Sequence, residues 1–159
     1  MKGSTILLSG NPKGMFLEGI INGTPKPGTM MEMDPTASPF IQNGRPTYRV
    51  FQRGTTGAKG QVAILLEDNE QGKTVNDAYV SGTRGFLYVP ISGEELNILL
   101  KDVAGTGDVH AAGEYVICET GSGKFVVTTG SPGSEPFRLM EAIPAPTADT
   151  LGWAMATGM

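Results

Sequence analysis

Short apolar runs separated by turn residues recur along the chain from residue 60 onward. The runs are rich in valine, isoleucine, tyrosine, phenylalanine and threonine, which suit a pleated, half-buried surface. Turn clusters separate them at the roughly 8–12 residue spacing that predicts a β-sandwich or a small β-barrel. The runs are Val62–Leu66, Ala78–Val80, Phe86–Ile91, Leu96–Leu100, Tyr115–Cys118, Phe125–Thr129, Phe137–Ile143 and Leu151–Met155.

The first fifty or so residues show a different pattern, in which prolines and glycines interrupt any regular run. Each proline removes a backbone donor and restrains the preceding residue to extended geometry. Two apolar stretches survive, Met15–Ile21 and Met30–Met33, and both are compatible with strands. We therefore predict an extended N-terminal arm over residues 1–53, with one or two short strands, and an all-β barrel domain of short antiparallel strands over residues 54–159.

The segment Gly93–Val103 fits two interpretations. Its residues Leu96, Leu99 and Leu100 follow helical spacing, and acids precede them while a lysine follows, as a helix dipole favours. A strand would instead place Leu96, Ile98 and Leu100 on one face. The local pattern favours a helix, whereas the surrounding β rhythm favours the strand that we predict.

Composition narrows the chemistry that the chain can perform. Its 159 residues include 23 glycines and 11 prolines, which predict many turns and argue against a helical bundle. The one cysteine, Cys118, cannot form an internal disulfide and fits a small buried hydrophobe. The one histidine, His110, has no nucleophile that the sequence nominates, and two soft ligands are a poor basis for a zinc site. We predict no catalytic residues, no cofactor and no metal.

The ends of the chain and its charge suggest where it works. No apolar run approaches the roughly 20 residues of a membrane span, and the opening lacks the apolar core of a signal peptide, so we expect a mature N-terminus in a reducing compartment. The net charge of −4 and the pI near 5.0 argue against general nucleic-acid binding. Residues 1–60 hold seven basic and three acidic side chains, whereas residues 61–159 hold five and thirteen. This asymmetry indicates either a charged partner for one half or drift in surface composition.

Several short motifs have simpler explanations than catalysis. Thr120–Phe125 resembles the tail of a phosphate-binding loop, but strand residues follow it, so we predict a hairpin turn. Glu67–Glu70 lacks the alternating spacing of a calcium loop and predicts a solvated turn. Asp77, Glu94 and Glu95 could supply paired carboxylates for glycoside hydrolysis, but surface charge is the simpler interpretation.

Basic and aromatic side chains alternate near the end of the predicted arm. Arg45, Arg49 and Arg53 are interleaved with Tyr48 and Phe51, and a strand would place Arg49, Phe51 and Arg53 on one face. That face could meet RNA or an acidic protein surface, although an ordinary half-buried strand explains the pattern equally well. The eight methionines suit either a contact surface or a core.

Four segments, in order over most of the chain, resemble the head decoration (cement) proteins of tailed bacteriophages. Asn22–Met33 is similar to their opening, in which a turn and Pro-Gly precede a short strand. Gly113–Val127 resembles their segment of a glycine, an acid, a strand, a glycine turn and a second strand. Pro136–Ile143 and Leu151–Thr157 resemble their last strands.

This resemblance implies a small β-barrel, or β-tulip-like domain, with an extended arm. It implies a virion structural protein, made in the host cytoplasm, that sits on the outer surface of the phage head, often as a trimer, and clamps the major capsid protein. It carries no catalytic residues, and together with the charge and the short apolar runs we predict no enzymatic activity, no nucleic-acid or membrane partner and no small-molecule substrate. The candidate partner interface consists of basic and apolar residues of the arm: Lys13, Met15, Phe16, Met30, Met31, Met33, Phe40, Arg45, Arg49 and Arg53.

Two other classes of function remain open on the sequence. One is a carbohydrate- or receptor-binding β module of a phage tail or a cell surface. Such modules usually expose aromatic platforms, whereas the single tryptophan, Trp153, lies in an apolar closing strand. The other is a small β-barrel enzyme that works through carboxylates alone.

Overall fold

The protein is an all-β chain in its computed structural model, which describes residues 5–8, 11–52, 61–101, 110–127, 137–144, 146 and 148–157. A single 3-10 turn, Asn69–Gln71, interrupts the strands of these residues, and no helix among them is long and apolar enough to cross a membrane. The strands are β1 (Met15–Ile21), β2 (Met30–Met33), β3 (Ile41–Gln42), β4 (Arg45–Val50), β5 (Val62–Leu65), β6 (Thr83–Val89), β7 (Glu95–Leu100), β8 (Tyr115–Cys118), β9 (Phe125–Val127), β10 (Phe137–Leu139) and β11 (Thr150–Ala156).

Five of the first six strands form one small barrel, which we call the first barrel. Its strand order is β1-β6-β5-β2-β4, and β3 extends the sheet beyond β4. A parallel pairing of β1 with β4 closes it and aligns Ile20 with Thr47. The other pairings are antiparallel, so a single parallel contact connects the two ends of an otherwise antiparallel sheet.

The last five strands close a second barrel in the order β10-β11-β7-β9-β8. The ambiguous segment is the strand β7, as predicted, and it pairs with β11 in antiparallel register. The predicted turn between β8 and β9 is also confirmed, with Gly121 and Gly123 at positive φ of 82° and 66°. The all-β, small-barrel fold that the sequence predicts is therefore confirmed.

The strands β2 and β5 and the second half of β6 contribute buried apolar side chains to both of their faces. Successive side chains of a strand point to opposite faces, so each strand contributes to two cores. One set fills the first barrel and consists of Met31, Ala63, Leu65 and Leu87. The other set joins the core of the second barrel and consists of Met30, Ile64, Leu66 and Tyr88. The two barrels thus share a wall.

The pairings do not follow the predicted boundary between an arm over 1–53 and a barrel over 54–159. Strands β1 to β4 lie within the first barrel, and the side chains of Ile21, Met31 and Tyr48 are almost wholly buried. The prolines and glycines of this region mark tight turns between short paired strands. For example, Asn43 and Gly44 form the two-residue turn between β3 and β4. Their φ angles of 52° and 75° are positive, as a tight hairpin of this kind requires.

One apolar run that the sequence grouped with the strands is a loop. Residues 78–80 form no strand. Tyr79 is nevertheless buried, and its hydroxyl donates a hydrogen bond to the carbonyl of Leu66 at 2.9 Å. The apolar run 78–80 therefore attaches a loop to the core through Tyr79 and does not form a strand.

Residues 5–8 contact β7 of the second barrel and also Glu67, which follows β5 of the first. Ile6 is fully buried in the shared core, and Leu7 forms an isolated antiparallel bridge with Leu96 of β7. The side-chain amide of Asn97 donates to the carbonyl of Thr5 at 2.7 Å, and its backbone N–H donates to the carbonyl of Ile6 at 2.8 Å. This segment supplies part of the wall of a barrel whose strands lie far along the chain.

Candidate functional site

An exposed apolar patch lies where β1 begins, beside the end of β6. We call this region the Phe16 patch and define it by Met15, Phe16 and Ile91, whose exposed fractions are 48%, 56% and 46%. Met15 and Phe16 are neighbours in β1 and therefore lie on opposite faces of its exposed end. Met15 pairs with Val89 and Phe16 with Tyr88 in the antiparallel β1–β6 register. The rings of Phe16 and Tyr88 have centroids 4.8 Å apart. An aromatic side chain held open to solvent in this way is a characteristic of protein-binding surfaces.

A buried carboxylate fixes the backbone beneath this patch. Glu94 accepts hydrogen bonds from the Tyr88 hydroxyl at 2.7 and 2.8 Å and from the backbone N–H of Ile91 at 2.9 Å. It also accepts from the backbone N–H of Lys13 at 2.5 Å and of Gly14 at 3.2 Å. One side chain therefore ties together the entry to β1, the strand β6 and the turn that follows β6.

The electrostatics of this contact favour the charged form of Glu94. Burial raises the pKa of Glu94, but the hydrogen bonds from the backbone donors and the Tyr88 hydroxyl together lower it by more. The pKa of Glu94 therefore lies below its ordinary value. For Tyr88, burial and the hydrogen bond to Glu94 both raise the pKa, to about 12. The tyrosine stays a neutral donor and the glutamate an anionic acceptor at neutral pH.

The patch also requires a glycine next to it. A Cβ at Gly14 would lie 2.2 Å from the carbonyl oxygen of Val89 and 2.7 Å from the ring of Tyr88. These distances are far below van der Waals contact, so a larger residue would push β1 away from β6. The close approach lets the N–H of Gly14 donate to the Tyr88 hydroxyl at 2.6 Å.

The methionines of the predicted interface have a different role. Met30 and Met31 are 4% and 0% exposed and belong to the two cores, and Met33 is half-buried against the core of the first barrel. The prediction of a partner contact is therefore wrong for Met30 and Met31, because a β2 strand buried on both faces leaves no surface for a partner. Met15, Phe16 and Phe40 are exposed, as an interface would require.

The predicted basic face is largely neutralised within the first barrel. Arg49 bonds to Glu32 at 2.9 Å and lies 3.3 Å from Asp34. Arg45 forms an ion pair with Glu18 at 3.0 Å. Acids close in space but not in sequence thus pair with the arginines, which leaves less free positive charge than the sequence suggests. Arg53 lies outside the described residues.

Asp34 is held ionised in this group. Its burial raises its pKa, but hydrogen bonds from Thr36 and Asn22 and the charge of Arg49 lower it more, so the pKa lies below its usual range. The triad of Glu32, Asp34 and Arg49 forms a fixed polar cluster beside a cleft.

That cleft lies between the two barrels and has a volume of about 600 Å³. We call it the inter-barrel cleft. The first barrel contributes Arg49 and the loop that follows β1, and the second contributes Leu99, the β8–β9 turn and the approach to β11. The described lining is Asn22, Gly23, Thr24, Pro25, Lys26, Thr29, Asp34, Thr36, Arg49, Val50, Gln52, Leu99, Ser122, Lys124 and Asp149.

Three carboxylates that the sequence assigned to the surface or to a solvated turn are buried: Glu67, Asp68 and Glu94. Glu67 accepts from the hydroxyl of Thr5 and from the N–H of Ile6, at 3.1 Å for the latter. Asp68 caps the 3-10 turn by accepting from the N–H of Gln71 at 3.2 Å. Backbone donors that are distant in sequence accompany the burial of Glu67 and Glu94, whereas Asp68 has its donor three residues away. The predicted solvated turn is therefore wrong for its first two residues.

The remaining candidates behave as simple structural residues. Asp77 is exposed and accepts from Thr74 at 2.8 Å, which agrees with the surface role predicted for it. Cys118 is buried in the shared core, and burial raises the pKa of its thiol to about 12, so it stays a protonated, unreactive hydrophobe. His110 is buried and pairs through its backbone with Ile143.

Comparisons with known proteins do not assign the chain to a family: no family model matches it, and no curated protein matches it in sequence. A function for this chain is therefore inferred from the Phe16 patch, the cleft and the resemblance of the sequence pattern.

Proposed function

We propose that this protein is a non-enzymatic virion structural protein that binds the outside of a phage head and stabilises the lattice of the major capsid protein. The Phe16 patch is the single observation that carries the proposal. The resemblance of the strand and turn pattern to phage decoration proteins supplies the identity of the partner.

The patch has the properties of a binding hot spot. Its aromatic side chain is exposed by more than half, while the backbone beneath is held by Tyr88 and by the buried carboxylate of Glu94. A rigid apolar anchor loses little conformational entropy when it binds, and aromatic anchors dominate the energy of many interfaces.

A repeated lattice would strengthen such a contact. One patch is small for a stable interface, but a trimer would present three of them to neighbouring capsid subunits. Linked contacts bind far more tightly than each contact alone. We propose the trimer as the working assembly on the head surface.

The test is co-sedimentation of the purified chain with expanded phage heads that lack it. We expect saturable binding at a fixed ratio to the capsid subunit. The double variant M15S/F16S should weaken binding by more than about tenfold, the loss typical of a hot-spot residue.

Val80 offers a matched control for this variant. It is 63% exposed and lies near the other end of β1, where Gly82 donates to the carbonyl of Ile21 at 2.8 Å. V80S should bind heads as the unmodified chain does. A protein that stays in the supernatant, or equal losses in both variants, would count against the proposal.

A further inference from the structure

The inter-barrel cleft has the size and lining of a ligand site. Its volume of about 600 Å³ falls inside the roughly 300–1,000 Å³ of typical ligand pockets. Both barrels contribute to its walls, and pockets occur preferentially at such junctions. The Phe16 patch does not contribute to its described lining.

Four of the five charged side chains that line the described part of the cleft occur in opposed pairs, and the fifth, Lys26, is exposed. Lys124 contacts Asp149 at 2.6 Å, and Arg49 lies 3.3 Å from Asp34. Each pair places hydrogen-bond donors and acceptors side by side with little net charge. A charged ligand would have to displace a member of either pair, so the two pairs favour a neutral ligand, and an anion would have to bind at Lys26 alone.

The Arg49 guanidinium divides its contacts between a buried acid and the cleft. Its Nε and Nη2 atoms both lie 2.9 Å from the same oxygen of Glu32, and Nη2 is enclosed there. Its Nη1 atom lies 3.3 Å from Asp34 and 3.5 Å from the hydroxyl of Thr36, and both of these residues line the cleft. A ligand hydroxyl would therefore meet Nη1 and Asp34, because hydroxyl groups both donate and accept.

The rest of the lining suits a polyhydroxylated ligand. Thr24 and Ser122 provide hydroxyls, and Asn22 provides an amide. The small apolar surface of Pro25 and Val50 could contact the C–H face of a sugar ring. No aromatic side chain lines the described part of the cleft, so a sugar there would be held by polar contacts and not by stacking on an aromatic platform.

We propose that the inter-barrel cleft binds a neutral saccharide. Adjacent hydroxyls of the sugar pair with the ion pairs Lys124–Asp149 and Arg49–Asp34, one hydroxyl accepting from the cation and its neighbour donating to the carboxylate. The protein would then hold a glycan at a site separate from its apolar patch.

The first experiment presents the full chain to an array of immobilised neutral and acidic oligosaccharides. The neutral oligosaccharide with the strongest signal is then titrated into isotopically labelled protein and followed by NMR. We expect binding to neutral glycans, with the largest amide shifts at Thr24, Ser122 and Lys124.

A pair of charge-matched double variants tests the assignment. K124Q/D149N removes an ion pair of the cleft, and E70Q/R84Q removes an exposed ion pair that is not part of the described lining. We expect the first to weaken saccharide binding by about tenfold or more and the second by less than about twofold, because hydrogen bonds to charged groups contribute strongly.

Several results would overturn the proposal: no glycan binding, a preference for acidic glycans, or amide shifts centred on the Phe16 patch. If K124Q/D149N does not fold, T24V replaces it, because Thr24 is exposed and its hydroxyl can be removed with little change in shape. M15S/F16S should retain saccharide binding, which separates this proposal from head attachment.

Discussion

The two barrels contain similar numbers of short strands but bury them differently. In the first barrel, β2 and β5 are buried along nearly their whole length. In the second barrel, β7 is also buried along nearly its whole length, whereas β8, β10 and most of β11 alternate between buried residues and more exposed ones. The most buried strands of both barrels therefore meet in the shared core, and the alternating strands of the second barrel lie on its outer side. A barrel that is closed by hydrogen bonds can still depend on its neighbour for its core.

The two barrels also differ in how deeply they bury their ion pairs. The first barrel buries Glu32 and Asp34 with Arg49, whose side chain is only 12% exposed. The second barrel pairs Lys101 with Glu119 through side chains that are 41% and 33% exposed. Exposed pairs contribute little to stability, whereas removal of one partner from a buried pair is costly. Ionic substitutions should therefore matter much more in the first barrel.

The largest expected effect comes from truncating a residue of the shared wall. Ile64 of β5 is fully buried and packs in the core of the second barrel. I64A should lower the free energy of unfolding by about 2–5 kcal/mol. Because the core is shared, circular dichroism of the whole chain and fluorescence of Trp153 in β11 should shift together to lower denaturant concentration.

The control is V126A in β9, where the side chain is only half-buried. It should cost much less than I64A. If Trp153 fluorescence kept its original midpoint in I64A while the circular dichroism shifted, the second barrel would unfold independently of the first and the two would not share a core.

A smaller effect is expected from the carboxylate below the Phe16 patch. E94Q keeps the shape of the side chain but places an amide against backbone N–H groups, which are donors themselves. We expect the free energy of unfolding at neutral pH to fall by about 1–3 kcal/mol. E95Q, at the neighbouring residue, is the control. Glu95 is half-buried, and its carboxylate accepts from the indole N–H of Trp153 at 3.2 Å, a bond that the glutamine amide oxygen can also accept, so we expect a smaller loss. Equal losses in the two variants would contradict the central role of Glu94.

The smallest effect concerns acid. Asp34 and Glu94 have pKa values lowered from 3.8 and 4.5 respectively. A carboxyl with a lowered folded-state pKa stabilises the fold above its unfolded pKa, and this stabilisation is lost as the pH falls through the folded value. Denaturant unfolding should therefore show a decline in stability from about pH 5 downward, with a shallower decline in E94Q than in the unmodified chain. Parallel curves would mean that Glu94 does not contribute to the decline.

Much of the local structure follows from the sequence. The runs Met15–Ile21 and Met30–Met33 coincide with β1 and β2, because apolar pattern and turn residues fix short strands locally. The strand β7 required the wider β context, since its leucines also fit a helix. The closure of each barrel could not be predicted, because the parallel β1–β4 contact depends on packing between distant segments.

The functional side chains were harder to predict than the strands. The exposed Phe16 was among the residues proposed from the sequence, but Met30 and Met31 were placed on the same surface although they fill the core. The sequence also gave no sign that Glu94 is buried, since its donors at Lys13 and Gly14 are about eighty residues away. The inter-barrel cleft was not predicted because its walls come from loops of both barrels.

The bridge between Leu7 and Leu96 has a consequence for synthesis on the ribosome. Residues 5–8 emerge early, but β7, against which they lie, is made only after the whole first barrel. Its bridge to Leu96 and its hydrogen bonds to Asn97 must therefore wait for β7, whereas Glu67, which accepts from Thr5 and Ile6, is made with the first barrel. Contacts between residues so distant in sequence slow folding. The side chain of Ile6 thus lacks the β7 part of its core until translation has passed that strand.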